Sequence, residues 1–538
     1  MLVLCVAVLS ARGGTVCGLT ESLTLPLEDT WLKEKIRMYG PAALSGFLLI
    51  FSFPAYDLYP LAWVSLVPLL ISLWCKKPKE AFLSGVLTGL FSFFGTLYWI
   101  YHSITYYGSV PFLASISLVL LLSMYLSLYT GLFSMVFAVK VRSTRLPALL
   151  LAPIFWVSFE FIRSYALTGF PWSSLGYSQC RFLAGIQVAD ITGIYGVSFL
   201  VAAVNGAAAD IFISKKRAEE MPLFPARQPF ISYSILLGLL VLVFAYGYWR
   251  LHEQRQGTTV RVSVVQGNID QSIKWEPAYQ DRVIETYKDL SKQAASASPS
   301  LIIWPETAVP FYFGDSFRSH DLVAFQKELN AYLLFGSVIV KKPPSDGGPA
   351  SLTNSAVLLD KNGNVSYVYD KIHLVPFGEY VPLRNILFFV DKIASGIGDY
   401  VPGDKYVKAN TLFGSFGTFI CYEIVFPGLV RKFYSKDGDF IVTITNDAWF
   451  GRTAGPYQHF SMAVFRAIEN RKPLIRAANT GISGFIDSNG RILRTTNLFE
   501  RKTETMDIRT DSTRSFYSRY GDIFSYLCIV TTLVLLML

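Results

Sequence analysis

The chain has 538 residues, of which 52% are hydrophobic and only 16% charged, with a net charge of +9. It is too apolar for an ordinary soluble protein and long enough for more than one domain. Its basic excess falls in short clusters between apolar segments, a topology signal that argues against a nucleic-acid partner, which would gather Lys and Arg on one face.

Residues 1–34 read as an N-terminal extension without an assigned role; Leu2–Leu9 is too short to span a bilayer and no basic stretch precedes it. Residues 35–250 are expected to form a membrane domain of seven transmembrane helices, near 39–55, 58–75, 81–101, 111–139, 147–164, 189–213 and 230–249, and an eighth is expected within 521–538. Lys33, Lys35 and Arg37 precede the first span, and Lys76, Lys77 and Lys79 follow the second. Lys140, Arg142 and Arg145 follow the fourth, and Lys215, Lys216 and Arg217 the sixth, while the loops after the first and third carry no Lys or Arg. The basic loops are therefore expected in the cytoplasm, and residues 250–520 on the far side of a multi-pass inner membrane protein, which in a Gram-negative cell is the periplasm. In the fifth span Glu160 and Arg163 share one face, as a structural ion pair or as a contact for a lipid head group. Phe170-Pro171-Trp172 reads as an interfacial segment.

A soluble domain is expected over 258–512. Strands are predicted at 260–266, 301–304, 332–340, 412–421 and 440–445, helices at 281–297 and 455–470, and hairpin turns at Asp360-Lys361-Asn362-Gly363 and Asp487-Ser488-Asn489-Gly490. Strands mixed with helices and hairpins predict an α/β layered domain. None of the six cysteines forms a CxxC pair, which argues against zinc, and only Cys421 lies in the soluble domain.

Cys421 follows the apolar run Thr418-Phe419-Ile420 and precedes Tyr422-Glu423, so its thiol is expected where a strand meets a polar cleft; a lone free cysteine is otherwise a small buried hydrophobe. A thiol is mostly protonated at neutral pH and needs a base or a nearby cation to react. Glu306, at the end of Leu301–Glu306, is a candidate base, because burial moves a carboxyl toward the working pH range. Lys371, among apolar neighbours, is a candidate stabiliser of a developing oxyanion, and Glu379 could hold it charged and oriented. His373 reads as structural.

Taken together, Trp304-Pro305-Glu306, the Lys371–Glu379 segment and Cys421-Tyr422-Glu423 resemble the nitrilase superfamily. Asn446-Asp447-Ala448-Trp449-Phe450-Gly451, Gln266-Gly267-Asn268-Ile269, Lys274-Trp275 and Thr168-Gly169-Phe170-Pro171-Trp172 sharpen the resemblance to its membrane branch, the bacterial apolipoprotein N-acyltransferases. It runs from about residue 35 to the end, departing in the N-terminal stretch and in the absence of a basic tail after Leu538. The resemblance implies a multi-span helical membrane domain joined to an α-β-β-α sandwich. It implies Glu306 as base, Lys371 as oxyanion stabiliser and Cys421 as nucleophile, with Glu379, Tyr422 and Glu423 supporting the site. Trp275 matches a position on a flexible arm near the lipid entrance. The implied reaction passes an acyl chain from a membrane phospholipid, through a Cys421 thioester, to the α-amine of a diacylglyceryl apolipoprotein at the lipid bilayer, without cofactor or metal; a monomer is the default expectation. A tethered amidase or nitrilase using water is one rival, although it would need only one anchor. A transporter or receptor with an inactive sensor domain is another.

Overall fold

The computed structural model describes residues 30–144, 146–220, 228–253, 257–314, 316–341, 351–382 and 400–538. The expected extension over 1–34 lies almost wholly outside the described residues, as do Arg145 and the connections 342–350 and 383–399.

Helical segments occupy all eight predicted spans, but five helices among the described residues are long and apolar enough to cross a membrane: Pro78–Leu97, Phe112–Ser143, Ala148–Tyr165, Ile194–Lys216 and Ser232–His252. The predicted spans near 39–55, 58–75 and 521–538 coincide with helical segments outside that set of five. The segment at 58–75 is a run of short helices over Tyr59–Leu73, punctuated by Pro60 and Pro68. Side chains of neighbouring helices supply what its breaks leave unpaired: Leu66 N donates to Asn205 Oδ1 at 2.8 Å, Leu69 N to Ser45 Oγ at 2.9 Å, and Asn205 Nδ2 to Ala62 O at 2.8 Å. The sixth span begins later than predicted, because Gly193 (φ 65°) separates Ala189–Thr192 from the long helix that follows. The closing helix, Ile523–Met537, has only fifteen residues, and the first segment is the helix Thr30–Ser52.

The basic residues gather at one end of this bundle. Arg142 Nη2 donates to Lys76 O at 2.8 Å, Lys140 Nζ reaches Leu536 O near the chain's last residue, and Lys216 Nζ lies 3.3 Å from Cys75 Sγ. The opposite end carries the soluble domain.

That domain holds two sheets. The strands are β1 (Thr259–Gln266), β2 (Leu301–Ile303), β3 (Val309–Tyr312), β4 (Tyr332–Lys341), β5 (Ser351–Leu359), β6 (Val365–Asp370), β7 (Ala409–Thr411), β8 (Gly414–Ile420), β9 (Phe440–Thr445), β10 (Leu474–Ala478), β11 (Gly484–Ile486), β12 (Ile492–Thr495) and β13 (Lys502–Arg509). One sheet runs β13-β1-β2-β4-β5-β6, with β3 also on β4; the other runs β12-β11-β10-β9-β8-β7. Side chains alternate as a period of two requires. Val262, Val264, Leu301 and Ile303 face the core shared with Phe419, Ile441 and Ile475 of the second sheet. Val265, Ile302 and Leu333 face outward onto the helices Pro277–Ala295 and Phe317–Glu328, through Tyr287, Leu290, Leu322 and Phe325. The predicted hairpin turns join β5 to β6 and β11 to β12, both antiparallel.

The helix Gly455–Asn470 covers the second sheet and is buried on all sides except at Tyr457. An amphipathic surface helix would leave one face in water. Here that face is the seat of the soluble domain on the membrane helices. Arg466 pairs with Glu469 at 2.9 Å and donates to Tyr177 Oη at 2.8 Å, while Glu469 accepts from Ile194 N at 3.0 Å. Arg471, just past the helix, pairs with Asp190 at 2.7 Å.

Candidate active site

Glu306 sits on the turn that leaves β2. Trp304 N donates to Leu334 O at 2.8 Å, its indole donates to Ser291 Oγ at 2.7 Å, and Gly336 N donates to Pro305 O at 3.1 Å. Gly336 must lack a side chain, because a Cβ there would stand 2.6 Å from the Glu306 Cα. The turn then bends through Thr307 at φ 44°, a left-handed conformation that is uncommon for a β-branched residue. The buried Glu306 carboxylate accepts from Asn354 Nδ2 at 2.8 Å through Oε1 and from Asn446 N at 3.0 Å through Oε2.

Lys371 follows β6 and is anchored at its backbone: its N donates to Asn354 O at 2.8 Å and its O accepts from Gly403 N at 2.8 Å. Its Nζ lies 2.9 Å from Glu379 Oε2 and 3.5 Å from Glu306 Oε1. Glu379 is fixed in turn by Val375 N at 2.8 Å and Asn354 Nδ2 at 2.9 Å. Burial works against the Lys371 charge, but Glu379 and then Glu306 outweigh it and hold the ammonium above its ordinary range.

β8 ends at Ile420, and Cys421 opens a tight helical turn at φ 51°. A non-glycine residue in that region carries strain that its surroundings must hold. Two braces do so. Glu423 accepts at Oε2 from Ile420 N at 2.8 Å, and at Oε1 from Tyr369 Oη at 2.7 Å, Ile372 N at 2.8 Å and His373 N at 3.1 Å. One carboxylate thus ties the turn of Cys421 to the segment of Lys371. The second brace is His459, whose Nε2 lies 3.1 Å from Cys421 O. A carbonyl can only accept, so this bond assigns the hydrogen to Nε2, leaving Nδ1 to accept from Arg476 Nη2 at 3.0 Å. Arg476 also pairs with Asp447 at 2.7 Å. Burial, then the Arg476 charge, holds His459 neutral.

The Cys421 thiol is pushed up by burial and then by the charge of Glu306, with Lys371 pulling it down. The three sequence-predicted groups therefore share one buried site: a protonated thiol beside a carboxylate that can take its proton and an ammonium that can receive negative charge. Tyr422 is buried edge-on to Phe426, at 5.0 Å between ring centroids. The His373 ring lies tilted against Phe426, with centroids 3.8 Å apart, and burial, then Lys371, lowers it to about 4, so it stays neutral. Trp275 is half-buried in the turn just ahead of the helix Pro277–Ala295. Among the described residues no group of three or more His, Cys, Asp or Glu side chains is placed to hold a metal ion.

Glu160 and Arg163 turn to the interfacial segment. Glu160 Oε1 accepts from Leu175 N at 2.7 Å, and Arg163 Nη1 donates to Trp172 O at 2.7 Å and Phe170 O at 3.1 Å. They position Trp172, whose ring stacks on His459 at 5.7 Å. Sequence reasoning missed Asn354, His459, Arg476 and Lys274 as site residues. Asn354 stands between Thr353 and Ser355 in β5, so its neighbours in the sequence did not set it apart.

A nitrilase-like catalytic domain seated on a bundle of apolar helices, with a cysteine, a lysine and glutamates at its centre, defines a membrane-embedded enzyme of the carbon-nitrogen hydrolase type. Residues 45–207 match the apolipoprotein N-acyltransferase N-terminal domain and residues 261–517 the carbon-nitrogen hydrolase family. The chain is 44% identical to an apolipoprotein N-acyltransferase of Geobacter metallireducens, over 92% of this chain and 93% of that one. It is 33% identical to one of Pasteurella multocida, over 92% and 94%. A solved carbon-nitrogen hydrolase from Helicobacter pylori is similar at 18% identity, covering 47% of this chain and 89% of that one, with a TM-score of 0.36. The chain belongs to the apolipoprotein N-acyltransferase family and is an acyltransferase.

Proposed function

We propose that this enzyme takes a fatty acyl chain from a membrane phospholipid and places it on the α-amine of the S-diacylglyceryl-cysteine at the N-terminus of an apolipoprotein. Glu306 removes the thiol proton of Cys421, and the thiolate attacks the ester carbonyl carbon. Negative charge moves to the carbonyl oxygen, where Lys371 stabilises it. The carbon–oxygen bond of the ester breaks, the lysophospholipid leaves with the proton from Glu306, and a thioester remains. The acceptor amine then attacks the thioester; Glu306 takes the amine proton and returns it to the departing sulfur. No oxidant, metal or organic cofactor enters the balance.

Glu379 keeps Lys371 charged and aimed, Glu423 fixes the cysteine turn to the lysine segment, Tyr422 packs the site wall, and Trp275 lies on the arm by which lipid enters. The chain acts as a monomer in the inner membrane, with residues 258–512 in the periplasm. The basic residues at the bundle end opposite the catalytic domain support that orientation.

One observation carries the reading: the base is linked to the membrane domain by contiguous contacts. Asn446 N donates to Glu306, and the adjoining residues rest on the membrane helices, with Ser103 Oγ donating to Trp449 O at 2.6 Å and Tyr107 Oη to Ala448 O at 3.2 Å. A site meant for soluble amides would have no use for such seating, whereas two bilayer-bound substrates require it.

The test incubates purified enzyme with a phospholipid carrying a labelled acyl chain and assays a hydroxylamine-sensitive adduct on Cys421. The expected adduct persists, discharges onto a lipopeptide amine, and is absent in Cys421→Ala. Rapid loss of the label to water would instead make the enzyme a hydrolase, and failure of the wild type to label would remove the thioester.

A further inference from the structure

Lys274 is fully buried, yet among the described residues its ammonium meets no carboxylate head-on: Nζ donates to the backbone oxygen of Glu306 at 3.2 Å and to the hydroxyl of Thr307 at 2.7 Å. Both acceptors are neutral. Burying a cation against neutral oxygens is a costly placement, and burial brings Lys274 down to about 7 against the opposing pull of Glu306. A packed apolar side chain would fill the same space without that cost. The contact falls at the most strained point of the turn, where Thr307 adopts φ 44°. Behind the turn, Gly336 lets β4 press against the Glu306 backbone. In front of it, Lys274 is the side chain that draws the carbonyl of Glu306 and the hydroxyl of Thr307 together.

The segment bearing Lys274 is itself laid over the site by two asparagines. Asn446 Nδ2 donates to Gln271 Oε1, while its backbone N holds Glu306 Oε2. Asn479 pairs with both the N and the O of Ile269, at 2.9 and 2.7 Å. Residues 269–275 therefore have three attachments, and two of them lead to Glu306, one through its carboxylate partner and one through its backbone.

We propose that Lys274 is a positioning residue for the acyl transfer, a latch that clamps the Trp275 segment onto the strained Glu306–Thr307 turn and so fixes the direction of the Glu306 carboxylate toward the Cys421 thiol. The inference rests on the assignment of Glu306 as base and names the residue that aims it. The latch acts on chemistry rather than on lipid capture, because its contacts lie on the backbone behind the carboxylate.

The experiment measures single-turnover labelling of Cys421 by a phospholipid with a radiolabelled acyl chain in detergent micelles, over a range of lipid concentration. It compares wild type, Lys274→Met, Thr307→Val, the double variant and Glu306→Gln. A small misplacement of a reacting group costs up to about 100-fold. Lys274→Met is expected to lower the limiting acylation rate by about 10-fold or more, with the lipid concentration for half-maximal rate unchanged within about twofold. Thr307→Val, which keeps the lysine and one of its two acceptors, is expected to slow acylation severalfold, and the double variant to be no slower than Lys274→Met alone. A wild-type limiting rate in Lys274→Met, a loss expressed as weaker lipid dependence, or effects that multiply in the double variant would overturn the latch. If Lys274→Met does not yield folded enzyme, Thr307→Val decides the matter: an unchanged limiting rate overturns the proposal and a slowed one upholds it. Failure of the underlying assignment looks different, since Glu306→Gln would then acylate at the wild-type rate or the wild type would form no Cys421 adduct.

Discussion

Gln458 and His459 are consecutive residues, one hydrogen-bonded to the membrane domain and the other to the cysteine turn. Gln458 Oε1 accepts from the indoles of Trp172 at 2.7 Å and Trp99 at 3.2 Å, and its Nε2 donates to Pro54 O at 3.0 Å and Thr96 O at 3.1 Å, so the amide is saturated by the membrane domain. His459 holds the carbonyl of Cys421 at 3.1 Å. The backbone conformation of the cysteine is thus tied, one residue away, to the packing of the helices below it.

His459→Phe keeps the ring volume and the stacking on Trp172 but removes the donor to Cys421 O. The orphaned carbonyl should cost about 1–3 kcal/mol of stability. Because Cys421 sits at φ 51°, the turn should also relax, and labelling of the thiol by a phospholipid should slow by about 10–100-fold. Thermal melts in detergent and the adduct assay read the two effects separately.

Asn354 offers both hydrogens of one amide to two carboxylates, Glu306 at 2.8 Å and Glu379 at 2.9 Å. Asn354→Asp is nearly isosteric but replaces those donors with a third negative charge. Like charges at this spacing force a proton onto one of the carboxyls. Glu306 also loses the amide donor that aims its carboxylate, and general-base catalysis is worth at least about 100-fold. The variant should therefore fold and yet lose acylation by about that factor at neutral pH, as measured by single-turnover labelling. Labelling at the wild-type rate would remove the shared amide from the account of the site.

His373 gives a pH dependence with a definite sign. Burial and Lys371 lower it to about 4, below the ordinary value of 6.5. Between those values the unfolded chain binds a proton that the folded chain refuses, so stability falls as the pH drops from about 6.5 to about 4. His373→Phe preserves the contact with Phe426 and abolishes this proton. The difference in melting temperature between variant and wild type should therefore shift in favour of the variant as the pH is lowered through that window, and stay constant from pH 7 to 8. A difference that does not change with pH would mean that His373 titrates alike in both states.

Much of the catalytic domain was legible because strand period and turn chemistry agree: the runs at 260–266 and 440–445 are strands, and Asp360–Gly363 and Asp487–Gly490 turn their hairpins. Glu306, Lys371 and Cys421 stood out as isolated polar groups at the ends of apolar runs. Their supporting residues did not, because Asn354, His459 and Arg476 act through partners distant in the chain, which no local pattern encodes. An apolar composition hid breaks within the helical segments: Tyr59–Leu73 is held by Asn205 and Ser45, and the break at Gly193 opens room for Tyr517, whose ring would lie 2.7 Å from a Cβ there. The burial of the Gly455–Asn470 helix on all sides but Tyr457 was likewise invisible, since its amphipathic pattern would suit a surface helix equally well.

The Gln458 junction supports a last prediction about the two halves of the protein. Gln458→Leu leaves two indole N–H groups and two backbone carbonyls without their partner in a buried site. Unpaired buried groups cost about 1–3 kcal/mol each, but losses within one network do not add, so a total loss of about 2–4 kcal/mol is expected. Gln458→Glu keeps the acceptor for both indoles and discards the two donors, and should lose less unless its charge cannot be borne beside the carbonyls of Pro54 and Thr96. If the junction only glues the halves together, both variants should melt earlier while the folded fraction labels Cys421 at the wild-type rate. If it sets the cysteine turn through His459, the rate per folded molecule should fall as well, and more in Gln458→Leu, where Trp172 is freed from the amide that fixes its stacking on His459. The second outcome is expected, because the indole of Trp172 touches both residues and cannot move for one without moving for the other.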